Sequence, residues 1–206
     1  MNPYFNEKIP FMIALGLPEF AVPQLKQYIE HLTKSNEELN LISRKMTFED
    51  LIDNHIIDCL LPLYHFPQNI NTAADFGTGG GLPGIIYAIC FPEIKFSLYE
   101  KSILKQEFLN SCKTFAPNIQ VFSDIPQDLI KTDIVVARGF KAIDVILDMS
   151  RLYFQNNGKY FLLKARLEKI NEELILTDKK FKNLKHQIIK LKSPALDVER
   201  HLVLIN

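Results

Sequence analysis

A chain of 206 residues, 47% of them hydrophobic, is long enough to bury the core of one domain with room for an appendage. Lysine plus arginine and aspartate plus glutamate each number 24, which excludes a protein that is strongly basic or acidic overall. The charges are unevenly distributed: residues 1–150 hold 12 basic and 18 acidic side chains, and residues 151–206 hold 12 and 6. The basic C-terminal quarter allows an anionic partner.

The cysteines and the hydropathy pattern indicate a cytoplasmic protein. Cys59, Cys90 and Cys112 are odd in number and lack paired or metal-ligand spacing, which argues against disulfides and against a metal site. The N-terminal residues contain prolines and no basic segment before an apolar run, so no signal peptide is predicted. Uncharged stretches are too short to span a membrane.

Residues 1–66 are predicted to form a helical N-terminal extension. From residue 18 onward, apolar side chains recur at the spacing of a helix face, and no strand pattern is present. This face includes Leu25, Ile29, Leu32, Phe48, Leu51, Ile52 and Ile56. Residues 1–18 contain no clear signal.

Residues 67–206 are predicted to form an α/β domain with a Rossmann-like, mostly parallel sheet. Helix-length stretches such as 102–115 and 141–155 separate the apolar runs INTAADF, IKFSLYE, NIQVF, DIVVARGF and GKYFLLK. The tail HQIIKLKSPALDVERHLVLIN contains two more strand-like runs, with too few residues between them for a crossover helix. Such a connection predicts an antiparallel hairpin at the sheet edge.

Glycines concentrate in AADFGTGGGLPGIIYAI, residues 73–89, directly after the first predicted strand. Open α/β sheets bind ligands at the carboxyl ends of their strands, and glycines there let the backbone approach the ligand. At the end of the second strand, Glu100 could accept hydrogen bonds from ribose hydroxyls. We therefore predict a nucleoside-binding loop, followed by a helix with Pro83 in its first turn. The alternative is a turn that only packs the strand tightly against the helix.

Two glycine patterns overlap in this loop. Gly79, Gly81 and Gly84 match the dinucleotide pattern G-x-G-x-x-G, which would suit a nicotinamide-dependent oxidoreductase. Asp75, with Gly77 and the glycines that follow, matches the pattern D-x-G-x-G-x-G, which S-adenosylmethionine-dependent methyltransferases favour. Asp75 could then serve the methionine end of the cofactor. The predicted terminal hairpin favours the methyltransferase interpretation, because a methyltransferase sheet ends in this way.

The chain resembles the bacterial glucose-inhibited division protein B family from about Leu39 to the C-terminus. The motifs that carry the resemblance are NLISRKMTFEDLIDNHIIDCLLPL, DFGTGGGLPGIIYAICFPEIKFSLYEKSILKQEFL, VARGF and KLKSPALDVERHLVLI. The resemblance implies a class I methyltransferase fold and transfer of a methyl group from S-adenosylmethionine to guanine N7 in 16S ribosomal RNA. It also implies a partner, 16S rRNA or the small ribosomal subunit, and we expect a monomer without a metal.

The resemblance also assigns roles to single residues. It implies cofactor contacts at Gly77, Leu82, Ser123, Asp124 and Arg138. The contacts expected at Asp75, Gly79 and Glu100 follow from the glycine pattern and the strand ends described above. Asn40, His55 and Asp58 match the N-terminal signature of the family.

The residue pattern itself narrows the chemistry. No Asn/Asp-Pro-Pro-aromatic stretch follows the fourth strand, and none of the cysteines ends a strand, which argues against exocyclic amines and against pyrimidine carbon as targets. A ring nitrogen is favoured and a ribose hydroxyl remains open, as does a module that binds cofactor and RNA without transferring anything.

Basic side chains are candidates for positioning the substrate. Arg138 is expected to orient the cofactor or the nucleotide, and the alternative is an ion pair with Asp133 or Asp144. His55 could hold the N-terminal helices against the loop or be a hydrogen-bonded core residue. Four lysines are candidates for phosphate contacts or for a solvated face: Lys179, Lys180, Lys182 and Lys185.

Overall fold

The computed structural model describes residues 2–43, 45–129, 131–182, 184–193 and 198–206. The N-terminal part is helical, as predicted, and contains α1 (Pro3–Ala14) and α2 (Val22–Leu39). A third helical stretch begins as α3 (Phe48–Leu51), passes through a π-helical segment (Ile52–Ile57) and ends as α4 (Asp58–Leu60).

The sequence pattern did not predict α1. Its N-terminus is capped by the Asn2 side chain, which accepts a hydrogen bond from the Tyr4 amide, but Pro10 lies inside the helix and obscures the signal. Tertiary contacts compensate for the destabilising effect of Pro10, because Phe5 and Met12 are buried on the inner face of α1. Tyr4 Oη also donates to Asp53 of the π-helical segment.

Within the described ranges, seven strands form one sheet, as the sequence predicted in outline. The strands are β1 (Thr72–Phe76), β2 (Lys95–Tyr99), β3 (Ile119–Phe122), β4 (Ile134–Arg138), β5 (Tyr160–Lys164), β6 (His186–Leu191) and β7 (Arg200–Ile205). Their spatial order is β3-β2-β1-β4-β5-β7-β6. The first five strands pair in parallel, and β7 pairs antiparallel with both β5 and β6, which confirms the terminal hairpin.

Helices cover both faces of the sheet. The connecting helices are α5 (Gly84–Cys90), α6 (Ile103–Ser111), α7 (Ile143–Met149), α8 (Arg151–Gln155) and α9 (Leu167–Lys180). Buried residues of α5 and α6 share one hydrophobic cluster with those of α1 and α2, whereas α7, α8 and α9 contribute to a second cluster. The first cluster is continuous across residue 66, and the division of the chain at that residue stays a prediction.

The structure also shows the state of the three cysteines and the apolar character of the described helices. Cys59, Cys90 and Cys112 are free and buried, and burial raises the pKa of each thiol to about 12. Among the helices of the described ranges, none combines the length and the apolar character needed to cross a membrane.

Candidate active site

The glycine-rich loop connects β1 to α5 and turns sharply at the carboxyl edge of the sheet. Gly77, Gly79 and Gly81 have φ values of +66°, +58° and +97°, a region that side chains other than glycine rarely adopt. The amides of Gly77 and Thr78 donate to the Tyr99 carbonyl at the end of β2, which fixes the loop across the two strands. The tight turn that the sequence predicted is therefore present. Helix α5 begins at Gly84, so Pro83 is its N-cap residue rather than part of its first turn.

The glycines of this loop serve different purposes. A Cβ atom on Gly84 would lie 2.5 Å from Leu98 Cδ2 and 2.6 Å from Asp75 Oδ2, so Gly84 allows α5 to pack tightly on the sheet. By contrast, a Cβ atom on Gly79 would meet nothing closer than the Gly77 carbonyl oxygen at 4.0 Å. Close helix packing therefore explains Gly84 but not Gly79, which borders open space where a ligand can approach.

Asp75 lies beneath the loop and is fully buried. Its Oδ2 accepts a hydrogen bond of 2.9 Å from the Gly84 amide, at the start of α5. Burial raises the pKa of Asp75 to about 6, while the hydrogen bond from the Gly84 amide acts in the opposite direction. The observed role of the Asp75 side chain is to support the loop from inside. A contact between Asp75 and the cofactor stays a prediction.

Glu100 lies immediately after β2 and faces the loop. Its Oε2 accepts a hydrogen bond of 3.1 Å from the Gly79 amide, and its Oε1 accepts one of 2.9 Å from the Ser102 amide. The Glu100 amide donates to the Phe122 carbonyl, so exposed Ser123 and Asp124 follow β3 at the same edge.

Leu82 belongs to the same loop, but its side chain is buried in the first hydrophobic cluster. Its amide donates to the Thr78 carbonyl within the turn.

Arg138 ends β4 and takes part in an ion pair, but with a partner that the sequence did not indicate. Its Nε donates to Asp58 Oδ2 at 2.8 Å, and its Nη2 lies 2.7 Å from the same oxygen in an ion pair while it donates to the Asn54 carbonyl. The two acids expected as partners bind elsewhere, since Asp133 accepts hydrogen bonds from the amides of residues 71 and 72, and Asp144 faces a lysine. The Arg138 side chain is only 17% exposed.

Asp58 joins three parts of the fold through its carboxylate. Asp58 belongs to α4, and its carboxylate binds Arg138 at the end of β4. The same carboxylate accepts a hydrogen bond from Arg200 Nε at the start of β7. His55 Nδ1 lies 3.4 Å from Arg138 Nη1. Burial lowers the pKa of His55 to about 4, and repulsion from the Arg138 guanidinium is the second largest cause. Arg200 was not predicted as a site residue, although it belongs to the motif KLKSPALDVERHLVLI that carries the resemblance.

A cavity of about 720 Å³ opens beside this network, at the carboxyl ends of β4 and β5. The basic side chains that line it outnumber the acidic ones, Asp58 and Glu173. These basic residues are Arg138, Lys141, Lys164, Arg166, Lys169 and Arg200. The lining is therefore mainly positive, and Arg138 is the one residue among the expected cofactor contacts that belongs to it.

The four C-terminal lysines considered for phosphate contacts lie elsewhere. Helix α9 follows β5 and returns along the sheet, so its end and the start of β6 lie at the amino edge of β5. Lys179, Lys180, Lys182 and Lys185 are therefore remote from the cavity, and Lys180 Nζ is paired with Asp148 at 2.9 Å. A contact between these lysines and RNA phosphates outside the cavity stays a prediction.

Solved structures with similar folds include a methyltransferase and a protein bound to S-adenosyl-L-methionine. A putative O-methyltransferase from Klebsiella pneumoniae superposes with a TM-score of 0.56 at 10% identity, covering 86% of this chain and 88% of that one. Aeropyrum pernix fibrillarin in complex with S-adenosyl-L-methionine gives 0.53 at 12% identity, covering 73% and 74%. At these identities the similarity establishes the fold alone, and it confirms the class I methyltransferase fold.

Sequence comparisons establish the family. A family model described as rRNA small subunit methyltransferase G matches residues 21–203, so the match begins well before Leu39. Ribosomal RNA small subunit methyltransferase G 1 of Bdellovibrio bacteriovorus is 58% identical over the full length of both chains. Ribosomal RNA small subunit methyltransferase G of Brachyspira hyodysenteriae is 34% identical over 89% of each chain. The chain therefore belongs to the rRNA small subunit methyltransferase G family.

Proposed function

We propose that the protein transfers a methyl group from S-adenosyl-L-methionine to N7 of a specific guanine in 16S ribosomal RNA. The observation that carries this proposal is the arrangement at one edge of the sheet. There, the open space at Gly79 and the carboxylate of Glu100 follow β1 and β2, and a cavity lined with basic side chains lies at the same edge, at the ends of β4 and β5. Phosphate neutralisation supplies much of the affinity of proteins for nucleic acid, so such a cavity suits an RNA substrate. We infer a monomer that acts in the cytoplasm on 16S rRNA or the small subunit.

The residues around the loop fit S-adenosylmethionine. Gly79 leaves open space beside the loop, and the Glu100 carboxylate, which already accepts a hydrogen bond from the Gly79 amide, would accept further hydrogen bonds from ribose hydroxyls. Within the described ranges, buried Asp75 Oδ1 and Thr78 Oγ1 lack hydrogen-bond partners, which leaves polar atoms available at the loop. Further contacts with the cofactor would come from the backbone at Gly77 and Leu82 and from the side chains of Ser123 and Asp124. Arg138, at the end of β4, would contact the opposite end of the cofactor.

The cofactor supplies a methyl group that is activated by its sulfonium. Guanine N7 carries a lone pair and no proton, so no side chain has to act as a general base. The site fits this requirement, since the carboxylates that line the cavity, Asp58 and Glu173, are held by Arg138 and by Lys164. The protein contributes position and exclusion of water, and the permanently charged Arg138 can orient the polar end of the cofactor or guanine O6.

Family membership favours methyl transfer over the nicotinamide-dependent alternative for the same loop. Calorimetric titration separates the two cofactors: S-adenosylhomocysteine should bind at one site per chain, and NAD should not bind. Tight NAD binding without S-adenosylhomocysteine binding would overturn the methyltransferase proposal.

The base and the atom can be identified together. Borohydride and aniline cleave RNA at N7-methylguanine, so 16S rRNA from cells that lack this protein should lose one specific cut. Purified protein with S-adenosylmethionine should restore that cut on small subunits or on free 16S rRNA from those cells. Incorporation of methyl groups without a restored cut would indicate another RNA position, and binding of both ligands without incorporation would indicate a module without catalysis.

A further inference from the structure

Phe140 borders both the glycine loop and the basic cavity. A Cβ atom on Gly77 would come within 2.0 Å of Phe140 Cδ2, so the ring rests directly against the backbone of the loop. Phe140 also lines the cavity, where it is the single phenyl or phenol side chain among the described lining residues. The ring therefore lies at the boundary between the space for the cofactor and the space for the substrate.

The backbone around Phe140 explains how the ring reaches this position. Gly139 has a φ of +59°, and it redirects the chain at the end of β4. The ring packs partly against the second hydrophobic cluster, and Lys141 Nζ lies 5.9 Å from the ring centroid. An apolar face next to an ammonium group is therefore presented at the cavity.

These features match the needs of a single nucleotide. RNA bases that enter a protein site are unstacked from their neighbours and are commonly restacked on aromatic side chains. The basic side chains around the ring can bind the flanking phosphates, while the ring offers a flat surface for the base. Because N7 attack depends on alignment rather than on proton transfer, a fixed base plane has a direct effect on rate.

We propose that Phe140 is the platform on which the target base stacks, a positioning residue of the reaction that rests on the proposed rRNA methyltransferase function. Phe140→Leu keeps apolar volume against Gly77 but removes the flat face. It should raise KM for small subunits or 16S rRNA roughly 5- to 150-fold, while the Kd for S-adenosylhomocysteine stays within about twofold. Phe140→Tyr should recover most of the lost RNA affinity, because the flat face is restored.

The chain contains no tryptophan, so Phe140→Trp introduces a single fluorophore at the platform. With S-adenosylhomocysteine present, 16S rRNA should quench this fluorescence, because guanine quenches a stacked indole. The matched control is Phe20→Trp at an exposed position that does not line the cavity, and its emission should not change.

Two results would overturn the proposal for Phe140. One is a KM of Phe140→Leu equal to that of the wild type, and the other is an equal loss of S-adenosylhomocysteine affinity, which would make the ring a wall of the cofactor site. The proposed function is tested separately by the wild-type protein. If it transfers no methyl group to rRNA, the function itself fails, whereas an active wild type with an unaffected Phe140→Leu variant refutes the stacking role alone.

Discussion

Neutralising Asp58 should destabilise the protein strongly, because one carboxylate compensates two largely buried guanidinium groups. In Asp58→Asn, Arg138 and Arg200 lose their ionic partner, although the amide oxygen keeps one acceptor. Breaking a buried ion pair from one side costs about 3–5 kcal/mol. The arginine side chains are 17% and 23% exposed, so we expect a loss near the lower limit, about 3 kcal/mol. For a chain of this size, that corresponds to a fall in Tm of roughly 6–12 °C.

The assay is thermal unfolding followed by circular dichroism, with Asp128→Asn as the control. Asp128 is exposed, and its neutralisation should change Tm very little. The coupling is measured with Arg138→Gln, alone and combined with Asp58→Asn, because removal of both partners should cost less than the sum of the single losses. A Tm of Asp58→Asn within about 2 °C of the wild type would refute the proposed role of Asp58 in holding the three elements together.

The remaining predictions concern the cofactor loop and pH. Gly79→Ala and Gly139→Ala place a methyl group at matching φ values of +58° and +59° with open space around it, so each should lose about 1–2 kcal/mol of stability. Calorimetry should show about tenfold weaker S-adenosylhomocysteine binding for Gly79→Ala, whereas binding by the control variant Gly139→Ala should not change. Glu100→Gln should weaken that binding roughly 10- to 150-fold, since charge-assisted hydrogen bonds are lost, whereas Glu107→Gln on α6 should not. Finally, the Tm of the wild type relative to His55→Gln should fall between pH 7 and pH 5, because the pKa of His55 is lowered to about 4.

The sign of the pH effect follows from proton binding. The unfolded chain protonates His55 near its ordinary pKa of about 6.5, and the folded chain does so only near 4. The contribution of His55 is therefore complete above about pH 6.5 and is lost as the pH falls towards 4. Asp75 acts in the opposite direction with a pKa of about 6, but it is present in both proteins and cancels in the comparison. A Tm difference that does not change with pH would contradict the prediction for His55, and equal cofactor binding by both glycine variants would contradict the one for Gly79.

Periodicity predicted the sheet because each of its strands is an apolar run with clear ends. Helix α1 was missed because its evidence is tertiary: Phe5 and Met12 become buried only when the rest of the cluster is present, and Pro10 masks the local signal. The antiparallel pairing of β6 with β7 was predicted from the short connection between them. The insertion of β7 between β5 and β6 was not, because it depends on the arrangement of the whole sheet.

The candidate site divides in the same way. The glycine loop and Glu100 could be located from the sequence, because backbone conformation and strand ends leave local signatures. The partner of Arg138 could not, since Asp58 lies 80 residues away along the chain and on another element. The position of Lys180 and its neighbours depended on the direction in which α9 crosses the sheet, which composition does not encode.

The position of β7 also constrains the order of assembly. Strand β6 precedes β7 in the chain, yet among the strands that the structure describes it pairs only with β7. During synthesis β6 therefore has no edge to join until β7 has emerged, and β5 exposes an unpaired edge for the same period. Residues 186–191 would be open to wrong pairing or to proteolysis in a nascent chain, and a ribosome that pauses before Arg200 would prolong this exposure.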